Sequence, residues 1–428
     1  MMTNRRAFLG GSLAAVVGAS LAPWSSTFAQ ARAKLPVAGI TTTYGPNTHA
    51  DVILTKILKG YKHDGGEGPD LKLTSVFIDQ QHPKDISAEL AKQHDFRIAK
   101  SIDEALTGGT DELKVSGVFI IGEHGDYPNV ELTKQKMYPR RKFFDAVVAT
   151  FRRVGRVVPV FNDKHLSYNW ADAKHMVETA ENMKIPFMAG SSVPVAWRVP
   201  PLELKRDCEI DEAFAIGYGP MEGYGFHTIE GLQCMVERRR GGETGVKRID
   251  VVKGAAIWEA EKAGRWSRKL LDATLAATPV YRAGEPEKLM SKDAAFFLIE
   301  YRDGLKATVA MANGVTASWA FAANLKGQAE PAVTMFAMDE GAPYGHFAPL
   351  VKAVEHMIHT GKPAYPVERT LLTTGILDAA MHAYATGESK DTPHLAVTYQ
   401  PTDWPFAEGR PPERVKPMKP DRAKKAKK

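Results

Sequence analysis

The chain has 428 residues, 44% of them hydrophobic and 25% charged, with 56 Lys+Arg against 50 Asp+Glu. That composition excludes a disordered, collagenous or membrane-embedded chain, and the length allows two or more domains with cores of their own. A net charge of +6 would suggest a nucleic acid or an anionic surface as partner, but the charge is not spread evenly. Arg5 and Arg6 stand without an acid in residues 1–31, and residues 409–428 hold nine basic residues against two acids, so the body between them carries −3. This distribution argues against nucleic acid.

The first element is an address. Thr3-Asn4-Arg5-Arg6-Ala7-Phe8-Leu9-Gly10 resembles the twin-arginine export signal, with paired arginines ahead of an apolar stretch. That stretch, Ala7 to Ala22, is 16 residues, short of the roughly 20 that span a bilayer. Pro23 breaks it and Ala29-Gln30-Ala31 offers a small-residue cleavage site. Residues 1–31 are therefore expected to be a signal peptide, leaving a periplasmic or otherwise exported chain with no stable membrane span. Cys208 and Cys234 are too few for a disulfide framework and are expected to pack as small apolar residues.

Strands and helices then alternate. Leu35–Ile40 is a strand, Thr41–Asn47 a turn, and an amphipathic helix runs from His49 to Tyr61. Strand Leu71–Ile78 ends at Asp79 and is followed by helix Ile86–Gln93 and by Ser101-Ile102-Asp103-Glu104, a capping box. Val115–Ile121 is an unbroken apolar run, as in a parallel strand buried on both faces. Helix Arg140–Arg153, strand Arg156–Phe161, helix Ala171–Met183 and strand Ile185–Ala189 complete the series. The pattern predicts a doubly wound parallel sheet over residues 35–194, with its ligand crevice at the carboxyl ends of the strands. Those ends are Thr41–Gly45, Asp79, Gly122–His124, Asn162–His165 and Gly190–Ser192, rich in polar residues and glycine.

From Val195 the pattern changes to an α+β domain over residues 195–400. Ala294–Tyr301 and Leu305–Met311 are joined through Arg302-Asp303-Gly304, and Asn313-Gly314 leads into Val315–Ala322. Two hairpin turns predict an antiparallel meander, closed by helices near His346–His359 and Thr370–Tyr384. Residues 405–428 are rich in Pro and Lys without apolar periodicity and are expected to be a disordered tail.

Three features bear chemistry. Lys164, between Asp163 and His165 at a strand's carboxyl end, can donate to a substrate oxygen, although an isolated lysine there would read as a surface loop residue. His227 and Glu230 are neighbours at i, i+3 on the helix around Phe226–Arg239, where they could form an acid/base pair, a helix-surface ion pair or half of a metal site. No second ligand set has recognisable spacing, so no metal is expected. Glu123 and His124 end the central strand and either line the crevice or form a turn. Arg198, beyond Gly190–Ser192 at the domain junction, could hold substrate or bridge the domains.

The sequence resembles the Gfo/Idh/MocA oxidoreductases over most of residues 35–400. Asp163-Lys164-His165 stands where that family has E-K-P, and Gly223-Tyr224-Gly225-Phe226-His227-Thr228-Ile229-Glu230 keeps Gly225 and His227 of its D-x-G-x-H-x-x-D pattern, with Glu230 for the last Asp and the first Asp missing. His49 fits a histidine just inside the family's first helix. The resemblance implies a Rossmann domain followed by a mainly antiparallel α+β domain that shapes the substrate site and carries an oligomer interface. It further implies NAD(P)-dependent hydride transfer on a sugar, polyol or sugar derivative, with Lys164 and His227 handling the hydroxyl proton, Glu230 supporting His227, and His165 and Arg198 on the substrate. Thr41, Thr43, Gly45, Asp79, Glu123, His124 and Asp163 would hold the dinucleotide. Here the chain departs from the pattern. Thr41-Thr42-Thr43-Tyr44-Gly45-Pro46-Asn47-Thr48 has one glycine where the fingerprint has three. Asp79 comes 34 residues after Gly45 rather than about 20; an acid there favours NAD over NADP. The alternative is a non-enzymatic carbohydrate-binding or scaffold protein that kept the fold and lost the dinucleotide site.

Overall fold

The structure, a computed structural model, describes residues 34–279, 284–339 and 341–412; the signal read at 1–31 and the tail from 413 onward lie outside the described residues. The first half builds β1 (Leu35–Thr41), α1 (His49–Lys59), β2 (Leu71–Ile78), α2 (Ser87–His94), β3 (Arg97–Ala99), α3 (Ile102–Thr107), β4 (Gly117–Ile121), α4 (Arg140–Val154), β5 (Val160–Asp163), α5 (Trp170–Asn182) and β6 (Phe187–Gly190). These strands pair in parallel in the order β3-β2-β1-β4-β5-β6. That is the order of dinucleotide-binding sheets, and it reverses between β1 and β4, where a crevice must open. Every residue of β4 is buried, as a strand covered on both faces requires. One face packs Val37, Val76 and Phe119 against α1, the other packs Ile40, Val118 and Val160 against Phe144 and Val147 of α4.

The second half adds β7 (Trp197–Val199), β8 (Ile210–Gly217), α6 (Gly223–Val236), β9 (Val246–Lys253), α7 (Ala255–Lys262), α8 (Arg268–Ala276), α9 (Pro286–Leu289), β10 (Ala295–Tyr301), β11 (Lys306–Met311), β12 (Trp319–Leu325), β13 (Ala332–Ala337), α10 (Ala348–Thr360), α11 (Val367–Thr386) and β14 (Lys390–Asp391). Its eight-stranded sheet has the order β14-β9-β10-β11-β8-β12-β13-β7. The hairpin through Arg302-Asp303-Gly304 forms, with Leu298 opposite Thr308. The hairpin expected at Asn313-Gly314 does not form, because β8 lies between β11 and β12 and runs parallel to β11. The Asn313 side chain explains the detour: it accepts from the Gly219 amide at 2.6 Å and donates to the Gly219 carbonyl at 3.1 Å, tying the exit of β11 to the end of β8.

Alternate residues of β8 enter two cores, Ala213 and Ala215 under α6 and α11, Phe214 and Ile216 under α7 and α8. The sheet face turned away from α6 and α11 is thus packed by Ile257, Trp266, Leu270 and Leu271. After the sheet the chain returns: α10 places Leu350, Val354 and Met357 in the core of the parallel sheet beside α1. Residues 405–408, read as part of a loose tail, are held by Ala407 N donating to the Val195 carbonyl at 2.9 Å and Trp197 Nε1 donating to the Glu408 carbonyl at 3.0 Å. Cys208 and Cys234 are free thiols. Among the described residues no helix is long and apolar enough to cross a membrane.

Candidate active site

The carboxyl ends of β4, β5 and β6 meet at Lys164. Its backbone is left-handed (φ 62), a conformation that costs roughly 1 kcal/mol or more for a non-glycine residue. It is held there because its amide donates to the Gly190 carbonyl at 3.0 Å. The side chain is buried, and Nζ donates to Glu123 Oε1 at 2.9 Å. Arg140, at the start of α4 and fully buried, donates from Nη2 to Glu123 Oε2 at 2.7 Å. Burial alone would raise the pKa of Glu123, but Lys164 and Arg140 outweigh it and hold the carboxyl well below its ordinary range.

Arg140 Nη1 lies 3.0 Å from His165 Nε2. A guanidinium only donates, so this histidine nitrogen accepts and His165 is neutral; burial, and then the Arg140 charge, lower its pKa. Behind it Glu222, just ahead of α6, accepts from the Lys136 amide at 2.8 Å, so the two domains are stitched together beneath the crevice. Asp163 is buried, and its Oδ2 is 2.6 Å from Nδ1 of His49 in the first turn of α1. The His124 ring lies 5.7 Å from that of His49, and burial pushes its pKa down to about 4.

Half-buried His227 faces the same space from α6, with its ring 5.9 Å from that of Trp319. Burial, then the charges of Lys164 and His49, hold its pKa well below the ordinary value. Glu230 does not support it. The carboxyl turns the other way, accepting from Thr373 Oγ1 at 2.7 Å and from the Ser191 amide at 3.2 Å. Arg198 also lies elsewhere: it donates to the carbonyls of Leu202 and Pro194 at 2.9 and 3.1 Å and stacks 4.3 Å from the Phe406 ring, so it braces the start of the second domain rather than the crevice.

The remaining predicted residues line the far end of the crevice. Thr41 Oγ1 donates to the Phe77 carbonyl at 3.2 Å, Thr43 is buried, and Asp79 accepts from the Tyr127 hydroxyl at 2.7 Å. The structure therefore gathers Glu123, His124, Asp163, Lys164, His165 and His227, separates Glu230 and Arg198 from them, and adds Arg140 and Glu222, which sequence reasoning missed. Arg140 had one visible sign, the Pro139-Arg140 start of a helix at the crevice end of the sheet; Glu222 had none. Among the described residues no cluster of His, Cys, Asp and Glu could hold a metal ion.

No family model matches the chain, and no curated protein matches it. Solved structures match its fold. GenD2 from gentamicin A biosynthesis, in complex with NAD, superposes with a TM-score of 0.55 at 14% identity, covering 84% of this chain and 96% of that one. Apo scyllo-inositol dehydrogenase from Lactobacillus casei gives 0.51 at 11% identity over 84% and 98% of the two chains. Myo-inositol 2-dehydrogenase from Lactobacillus plantarum gives 0.50 at 10% over 83% and 99%. The architecture is that of the two-domain Gfo/Idh/MocA-type dehydrogenases, and identities this low establish the fold alone.

A nicotinamide dinucleotide would lie across the β1–β4 crevice, and the residues there fit its ends better than its centre. Thr43 Oγ1, His124 Nε2, Asp163 Oδ1 and His227 Nδ1 are buried without a hydrogen-bond partner among the described residues, so polar groups of a ligand would satisfy them. Asp79 stands where a ribose-binding acid belongs. Over the pyrophosphate position, a Cβ at Gly45 would overlap the His82 ring. Asp51 in the first turn of α1 accepts from the Asn47 amide at 2.9 Å, placing a carboxylate at the helix end that ordinarily receives phosphate. Phosphates would depend on Thr43 and the free amides of α1 rather than on a glycine cradle.

Proposed function

We propose that the chain is an exported, nicotinamide-dinucleotide-linked oxidoreductase acting on a CH–OH group of a neutral sugar, polyol or sugar derivative. The observation that carries this reading is Lys164, fixed at the carboxyl end of β5 inside the crevice with its ammonium ion-paired to Glu123. The pairing keeps the lysine a hydrogen-bond donor, suited to hold a substrate oxygen as it becomes a carbonyl. The dinucleotide would supply the hydride acceptor or donor. Thr43, Asp79, His124 and Asp163 would bind it, and His227 would face the substrate with His165 behind the crevice wall.

Charge supports neutrality of the substrate. Glu123 already pairs Lys164 and Arg140, so neither brings an uncompensated charge to a substrate carboxylate. The polar ends of the parallel strands, the dinucleotide-binding strand order and the fold shared with sugar and inositol dehydrogenases all agree with this reading. Export rests on residues 1–31, and replacing Arg5 and Arg6 together by Lys should retain the protein in the cytoplasm. The covered Gly45 and the Asp51 carboxylate favour a second reading, a carbohydrate-binding protein that no longer uses a dinucleotide.

Denaturing the folded, purified protein and scanning the supernatant for nicotinamide absorbance separates the two, together with melting curves in NAD and NADP and a turnover screen over neutral polyols, sugars and their acids. Finding no nucleotide, no rise in melting temperature and no turnover would sink the oxidoreductase reading. Preferential turnover of sugar acids would sink the neutral-substrate clause.

A further inference from the structure

Five imidazoles lie in or just behind the crevice, and their surroundings differ in one respect that decides which can carry a proton. We propose that His49 and Asp163 form a proton-transfer pair in which His49 Nε2 takes up the proton of a substrate hydroxyl. The proposal deepens the oxidoreductase reading and rests on it for the identity of the proton donor.

The geometry begins with Thr48. Its side chain caps α1 by accepting from the Asp51 amide, which puts His49 at the first helical position with its ring toward the end of β5. Asp163 is the last residue of β5, and its Oδ2 lies 2.6 Å from His49 Nδ1. A carboxylate only accepts, so the Nδ1 proton points at Asp163, and in the neutral ring Nε2 carries the lone pair. The Phe347 ring meets the imidazole edge-on at 5.2 Å, and His124 packs beside it at 5.7 Å, so its orientation is fixed. The side chain of His49 is 15% exposed and that of Asp163 is 1% exposed. The pair is therefore a buried carboxylate behind an imidazole that reaches the crevice, the arrangement that orients an imidazole and stabilises its cation.

The groups facing His49 are Asp163 and Lys164 from the end of β5, Glu123 and His124 from the end of β4, His227 from α6, and His346 from the turn ahead of α10. Lys164 is committed to Glu123. His124, His227 and His346 are all pushed down by burial, and nearby cations add to it. None of the three has a carboxylate at hydrogen-bond distance among the described residues, so a proton placed on any of them would be a partly or wholly desolvated charge without that partner. His165, further back, already accepts from Arg140. Among the described residues, His49 is the crevice imidazole with a carboxylate at hydrogen-bond distance, whereas Glu222 lies 3.7 Å from the His165 nitrogen that Arg140 already occupies.

In the proposed step the substrate O–H bond breaks and its proton passes to His49 Nε2, giving an imidazolium paired with Asp163. A bound oxidised nicotinamide would supply the acceptor for the hydride, with its two electrons, that the carbon gives up as the C–O bond becomes C=O. Lys164 donates a hydrogen bond to that oxygen throughout.

The test uses the mature protein labelled with 15N-histidine, with His49→Gln to assign the ring and Asp163→Asn to remove the carboxylate. In the wild type the His49 ring should show an Nδ1 proton hydrogen-bonded to Asp163, and the Nδ1 resonance should shift and its proton exchange faster in Asp163→Asn. Turnover is measured with NAD and NADP on the screen of neutral polyols and sugars. Both variants should lose about 10²–10⁴-fold in kcat/KM at pH 7. The acid limb of the profile should move to lower pH in Asp163→Asn, and Asp163→Glu should recover part of the loss if the Asn variant folds poorly. An unchanged His49 Nδ1 resonance in Asp163→Asn, or wild-type rates in His49→Gln, would overturn the proposal. A nucleotide-induced rise in melting temperature that survives in His49→Gln keeps the oxidoreductase reading intact whichever way the pair is decided. If the wild type neither binds nucleotide nor turns over, that reading fails and takes the proposed step with it.

Discussion

Replacing Glu230 by Gln should stabilise the protein at neutral pH and leave it little changed in acid. The carboxyl is fully buried where α6, α11 and the end of β6 meet, and burial raises its pKa from the ordinary 4.5 to about 7, against the opposing charge of Arg369 and the hydrogen bonds from Thr373 and Ser191. For an acid shifted upward, the folded state binds more protons than the unfolded chain between the two pKa values. The stabilising contribution is therefore complete below pH 4.5 and is lost as pH rises through about 7. Each pKa unit is worth about 1.4 kcal/mol, so the whole loss amounts to roughly 3 kcal/mol.

Glutamine can keep the hydrogen bonds. Its carbonyl accepts from the Ser191 amide, and its NH₂ donates to Thr373 Oγ1, whose hydroxyl still reaches the Thr370 carbonyl at 3.2 Å. Urea unfolding of wild type and Glu230→Gln from pH 4 to pH 8 gives two curves that share every other titrating group, so their difference isolates Glu230. The gap should open between pH 5 and 7 and reach about 2–3 kcal/mol at pH 8. Parallel curves would refute the raised pKa, and a variant uniformly weaker by more than 2 kcal/mol would refute the hydrogen-bond exchange.

Three further substitutions probe the same framework. Gly190→Ala should cost about 2 kcal/mol or more in urea unfolding, since its φ is +132 and a Cβ would sit 2.8 Å from Glu230 Oε2; a cost below 0.5 kcal/mol would deny the close approach. Lys164→Met should lower kcat about 10²–10³-fold by removing the donor to the substrate oxygen, with a small change in melting temperature because Arg140 still pairs Glu123; unchanged kcat would remove the lysine from the site. Arg369→Met should destabilise by about 3–5 kcal/mol, since it strips a doubly hydrogen-bonded, buried Glu237 of its counter-ion, and equilibrium unfolding that shows under 1 kcal/mol would refute it.

Much of the parallel half was legible because its signals are local. A run such as Val118–Ile121 declares a strand covered on both faces, and once the strands are parallel their carboxyl ends must converge. Glu123, Asp163, Lys164 and His165 could thus be placed together without knowing one tertiary contact. The antiparallel half was harder, because an Asn-Gly pair reports only a turn. Whether β12 pairs with β11 or yields its place to β8 depends on Asn313 reaching Gly219, 94 positions away.

Glu230 shows the same limit inside the site. Helical spacing correctly makes it a neighbour of His227, yet its carboxyl goes to Thr373, 143 positions along the chain, and spacing on one helix cannot rank partners brought by another. Arg140 was read as a helix start, and its role depends on β4 and β5 arriving beneath it. The left-handed backbone of Lys164 (φ 62) carries no sequence signal, since lysine does not favour that region, and that of His124 (φ 70) has only the weak one of a residue type enriched there.

The buried imidazoles set the acid limit of the fold as Glu230 presses from the alkaline side. Burial lowers His124 to about 4 and His346 to about 3. Both bind fewer protons folded than unfolded below the ordinary 6.5, so their contribution is complete above pH 6.5 and is lost as pH falls toward those values. Glu230 has the opposite sign over an overlapping window, from 4.5 to about 7. Near pH 5.5 the terms oppose one another, and below pH 4.5 the histidines act without it. Stability should therefore fall with a slope of about one to one and a half protons between pH 4.5 and 3.5 from these residues, most of it from His346, because His124 itself titrates in the fold near 4. His346→Asn should flatten that slope by about one proton, because its Oδ1 can still accept from the Asp339 amide that His346 Nδ1 accepts from at 3.2 Å. Melting temperatures across that range decide the matter, and identical acid limbs in the two proteins would show that His346 is protonated in the fold.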